Sequence, residues 1–74
     1  MPKKGIKKQI AYEILLFLVK HEGKFRFNYN DLAWAWKRYG KPIKFTTLER
    51  YIREFARQGL LRRIGKSDFE WIGD

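Results

Sequence analysis

Apolar residues recur along this chain in two rhythms. Steps of three and four residues predict three helices, and alternation predicts three short strands. The first helical run is Ile6 to Lys20. Ile6, Ile10, Ile14, Phe17 and Leu18 form its core stripe, and Tyr12, Leu16 and Val19 form a second apolar patch roughly opposite. A helix apolar on two sides is either covered on both or meets a partner. The chain's own hairpin can cover the second patch, and so can a second copy of the protein. Lys24-Phe25-Arg26-Phe27 alternates polar and apolar as a half-buried strand does. Asn28 with Asp31, or Asn30 alone, can cap a second helix from about Tyr29 to Tyr39, which Gly40 stops. Leu32, Trp36 and Tyr39 share its core face. Trp34 points about 160° away, alongside Asp31 and Arg38.

Gly40-Lys41-Pro42-Ile43-Lys44-Phe45 is the connector, and its proline and glycine prevent one continuous helix. The third helix is read as Thr46 to Gln58. Thr46 and Glu49 have the spacing of a capping box, and Gly59 sits where a helix stops. Two β-prone runs follow, Leu60–Ile64 and Phe69–Ile72, joined by Gly65-Lys66-Ser67-Asp68 with hairpin-turn chemistry. They can pair with the early strand in a three-stranded sheet. The expectation is one α+β domain, mostly helical, over residues 1–74, with residues 1–5 a flexible basic arm.

Charge changes this picture most. Seventeen Lys and Arg against eight Asp and Glu give a net charge of +9 in 74 residues. Such a field attracts polyanions, nucleic acid first among them. Five of the seven arginines lie between Arg50 and Arg63. On the third helix Leu48, Ile52, Phe55 and Ala56 fall on one face. Thr46, Arg50, Arg53 and Arg57 fall on the other, with Thr47 and Glu54 at its edge. One side is built to hold and the other to grip, although a solvated basic face is the plainer reading of any such run. The absence of cysteine and the single histidine, His21, leave no basis for a disulfide or a metal cluster. No signal peptide or 18-residue apolar run is present, so neither export nor a membrane span is expected. No nucleophile–base constellation, glycine-rich phosphate loop or paired carboxylates point to an enzyme, a cofactor or a small-molecule ligand.

The order helix, strand, helix, turn, helix, strand, tight turn, strand resembles the winged helix-turn-helix family of DNA-binding domains. The residues that carry the resemblance are Thr46-Thr47-Leu48-Glu49-Arg50-Tyr51-Ile52-Arg53-Glu54-Phe55 and then Gln58-Gly59-Leu60-Leu61-Arg62-Arg63. The resemblance implies three helices with a small antiparallel sheet, the third helix in the major groove of duplex DNA and the hairpin, or wing, on the backbone. Carried over, Thr46, Thr47, Arg50, Arg53 and Arg57 face the groove, and Arg63 and Lys66 belong to the wing. Two features depart from the pattern: the wing turn is short, and Asp68 and Glu70 bring negative charge to it.

Arg50, one turn into the helix, suits a base contact or a phosphate. Arg53 and Arg57 suit phosphates, against ion pairs with Glu49 and Glu54 respectively. Thr46 is a cap or a reader, and Thr47 a base contact or a first-turn residue. The expected function is that of a small duplex-DNA-binding transcription regulator, cytoplasmic, nucleoid-associated and homodimeric. The competing expectation is a winged-helix protein–protein module of a replication, recombination or virion assembly. Its contacts would be Tyr12, Leu16, Val19 and Trp34.

Overall fold

The computed structural model describes residues 6–73. Residues 1–5, expected to form the basic arm, lie outside them. Helix α1 spans Ile6–Leu16 and continues into a π-helical turn, Phe17–His21; then follow β1 (Arg26–Asn28), α2 (Tyr29–Arg38), α3 (Phe45–Arg57), β2 (Leu61–Arg63) and β3 (Asp68–Trp71). Three helices thus stand with a three-stranded antiparallel sheet in the order β1-β3-β2. The arrangement is compatible with a winged helix.

One core joins all the elements. Ala11, Ile14, Leu15, Leu18 and Val19 from the first helix meet Leu32 and Ala35 of α2, Leu48, Ile52 and Phe55 of α3, and Phe27, Leu61 and Phe69 of the sheet. The stripe expected on α1 is therefore displaced. Ala11 and Leu15 lie between the two apolar groups read from the sequence and merge them into one wide buried arc. Val19, assigned to a partner surface, is fully buried in the protein's own core. Tyr12 and Leu16 flank that arc and stay half-buried, Tyr12 edge-on to Phe55 of α3 at 5.9 Å. Ile6, placed in the stripe, is exposed. Tyr39 is also exposed, because α2 ends at Arg38 and the backbone of Tyr39 has left the helical region.

The helix ends follow their side chains. At the start of α2 the Asn28 side chain accepts from the Asp31 amide at 2.9 Å, and the Asp31 carboxylate accepts from the Asn28 amide at 3.2 Å, a complete capping box. The box expected at Thr46 does not form. The N-cap of α3 is Lys44, with no side-chain cap. The cause is the packing of the connector. The Trp36 indole N–H donates to the Ile43 carbonyl at 2.6 Å, and Phe45 packs on the Trp36 ring at 5.1 Å. That anchorage starts the helix at Phe45 and carries Thr46 inside its first turn.

Gly59 ends α3 as its sequence position predicts, with φ +92°. The Leu60 amide reaches back to the Phe55 carbonyl and the Gly59 amide to that of Ala56, a Schellman closure. A side chain at Gly59 would be strained by that backbone angle although the space around it is open.

Candidate functional site

The site begins with the amphipathic division of α3. Leu48 and Ile52 are fully buried and Phe55 nearly so, which fixes the rotation of the helix. The face turned outward carries Thr46, Arg50, Arg53 and Arg57, all exposed, with Thr47 half-buried at its edge. The structure brings these five sequence-predicted residues together on one surface. Among the described residues neither Arg53 nor Arg57 forms a salt bridge, so the pairs considered with Glu49 and Glu54 are not made. The Arg50 guanidinium lies over the Tyr51 ring, 5.5 Å from its centroid. Such stacking orients the planar fork without using its N–H donors.

At the start of α3 the Leu48 amide makes the first intrahelical bond, to the Lys44 carbonyl at 3.0 Å. The three amides before it have no side-chain cap, and helix ends of this kind carry partial positive charge. Thr47 shares the adjacent depression with Lys7, Lys41 and Lys44. Sequence reasoning assigned none of these lysines a role at this end of the helix. Its assumed cap at Thr46 concealed the open helix terminus.

At the other end, a cleft of about 460 Å³ separates α3 from the β2–β3 hairpin. Arg53 and Arg57 line one wall and Arg62 and Arg63 the other, over an apolar floor that includes Leu61 and Phe69. The hairpin arginines are held differently from those of α3. Arg62 donates to Glu70 at 2.7 Å, and Arg26 donates to the other oxygen of the same carboxylate at 3.4 Å. The register explains this, since Arg26, Glu70 and Arg62 stand directly opposite one another across three strands. Arg62's hydrogen bond is the chief cause that holds the Glu70 carboxyl below its ordinary range, with Arg26 adding to it. Of the two negative charges on the hairpin, that of Glu70 is thus neutralised locally, while Asp68 is exposed and forms no salt bridge among the described residues.

Arg63, carried over as a wing residue, folds back onto its turn. Its Nε donates to the Gly65 carbonyl at 3.2 Å and its Nη2 to the Lys66 carbonyl. It braces the turn while leaving Lys66 exposed at the tip. Alternation along β2 places Arg62 and Arg63 on opposite sides of the sheet but does not name a partner for Arg62. The signal that finds its partner is strand register, which single-strand alternation does not supply.

The second surface is smaller than expected. Trp34 is exposed and Leu16 and Tyr12 are half-buried, but the loss of Val19 to the core removes one of its four members. Trp34 stacks on Phe17 of the first helix, with centroids 6.2 Å apart and planes 20° from parallel. No helix among the described residues is long and apolar enough to cross a membrane.

No family model, curated protein or solved structure matches this chain.

Proposed function

We propose that this protein is a winged-helix duplex-DNA-binding protein, acting as a small transcription regulator, with α3 in the major groove and the β2–β3 hairpin as its wing. The observation that carries this reading is the row of exposed Arg50, Arg53 and Arg57, directly opposite the buried Leu48, Ile52 and Phe55. An α-helix fits the major groove, and a rigid apolar underside keeps it presented as one piece. Arg50, nearer the start of α3, reads base edges with its fork. Arg53 and Arg57 hold phosphates toward the hairpin, while Arg62 across the cleft stays on Glu70. Thr47 and the uncapped amides beside it take a phosphate at the helix start. Lys66 at the tip of the wing adds a backbone contact, while Arg63 positions that tip.

Fluorescence anisotropy with a labelled random-sequence duplex tests the reading across a salt series. Affinity is expected to fall steeply as salt rises, because each neutralised phosphate releases counterions. No duplex binding at low salt would sink the proposal.

A further inference from the structure

The π-helical turn builds a second surface that the duplex reading leaves unused. Phe17 lies at its centre. The His21 ring stacks on Phe17 at 4.9 Å with planes 19° apart, and Trp34 lies 20° from parallel to the same ring. The Arg38 guanidinium sits 5.2 Å from the Trp34 centroid, and Tyr39 meets Phe17 edge-on at 5.7 Å. These groups are not sealed in the core. The side chain of His21 is 71% exposed, and Trp34 is 42% exposed. Widened π turns occur often at functional sites.

The surface faces away from α3. Residues two apart on a helix point about 200° apart. Trp36 packs against Phe45 at the start of α3, so Trp34 occupies the opposite side of α2.

Charge and shape select the occupant. Glu22 is paired with His21, and Asp31 with Lys24. Lys37, one turn from Trp34, and Arg38 make no salt bridge among the described residues. The charge nearest Trp34 is therefore positive, Arg38 over its ring and Lys37 one turn away, while Glu13 lies one turn before Phe17 on the first helix. A second copy would bring the same cations against themselves in a chain of net charge +9. Five side chains are also far fewer than the roughly 20–30 residues a side of a stable protein interface. Near-parallel rings that stay partly exposed, His21 above all, suit a flat aromatic guest, and the adjacent cations suit an anionic backbone.

We propose that the Phe17–His21–Trp34 platform binds single-stranded nucleic acid. An unpaired base extends the ring stack, and Lys37 and Arg38 contact its phosphates. Duplex and single strand would then occupy opposite sides of one small domain.

The test is binding of labelled oligothymidine and oligouridine, DNA and RNA single strands, to the full chain at a salt concentration that suppresses non-specific attraction. Trp34→Ala is expected to weaken single-strand binding about tenfold, and Trp34→Phe to restore most of it. Circular dichroism checks that both variants fold, and His21→Ala supplies an independent lesion on the same platform. Quenching of tryptophan fluorescence by oligothymidine is expected in the wild type and lost in Trp34→Ala. Arg53→Ala/Arg57→Ala is expected to leave single-strand affinity within about twofold at that salt, separating this proposal from the duplex reading. Absence of single-strand binding in the wild type would overturn it. So would unchanged affinity in both Trp34→Ala and His21→Ala, or a loss of self-association in Trp34→Ala with single-strand affinity intact.

Discussion

The arginines of α3 and those of the sheet carry the same side chain in opposite employment. Arg53 and Arg57 stand exposed and unpaired among the described residues, while Arg26 and Arg62 share one carboxylate and Arg63 grips the carbonyls of its own turn. The difference follows from secondary structure. A strand places cross-strand neighbours directly opposite, so a glutamate at the matching register captures its arginines. On the helix, Glu49 and Glu54 have suitable sequence spacing from Arg53 and Arg57 but hold neither in a salt bridge. A count of positive charges therefore overstates the gripping surface. What matters is which guanidinium groups remain without a partner.

The comparison is broken most severely by Arg53→Ala/Arg57→Ala. Under the duplex reading, this variant lowers affinity by on the order of a hundredfold and reduces the log–log salt slope by about 1.8, two phosphate contacts' worth. Its thermal midpoint should stay close to the wild type, since neither side chain closes a salt bridge. Next in size is Arg50→Ala, expected to flatten the preference among duplex sequences by about 1–3 kcal/mol, read by competition between selected and random sites. An unchanged preference would remove its base-reading role.

Arg62→Ala should show the reverse profile, with a small drop in melting temperature and duplex affinity altered less than about threefold. A larger loss of affinity would mean that Arg62 leaves Glu70 to bind phosphate. The smallest effect is that of Glu70→Gln on acid stability. Glu70 titrates below its ordinary value of 4.5 in the folded protein, chiefly through Arg62's hydrogen bond. Its ionised form therefore favours folding above the unfolded-state value, and this contribution fades as pH falls through the lower folded-state value. The wild type should melt above Glu70→Gln at neutral pH, and the gap should close in acid. A gap independent of pH would sink this assignment.

The order of elements, the three-stranded pairing and the two faces of α3 were legible in the sequence, because periodicity and turn residues report them directly. Leu48, Ile52 and Phe55 are buried and Trp34 is exposed as their spacing predicts. Three features depended on tertiary partners. Trp36 and the Ile43 carbonyl move the start of α3 ahead of Thr46, although Thr46 and Glu49 have ideal capping chemistry. Ala11 and Leu15 close the gap between two apparent stripes on α1, so Val19 turns inward. The π turn at Phe17–His21 leaves no mark in the 3.6-residue rhythm. Of the candidate site, the helix row could be read from periodicity, whereas the commitments of Arg62 and Arg63 required strand register and a folded turn.

The Schellman closure at Gly59 also has a mechanical consequence. Only three residues separate α3 from β2. One of them, Leu60, is bonded backward to Phe55 and forward to Ile72 and Gly73, whose amides both reach its carbonyl. The joint has no slack. These bonds tie helix and hairpin to one spacing, which a surface touching both has to match. The loss of conformational freedom at this joint is met during folding, leaving little to be lost on association. Selectivity can then reside in the dimensions of the partner as much as in its chemistry.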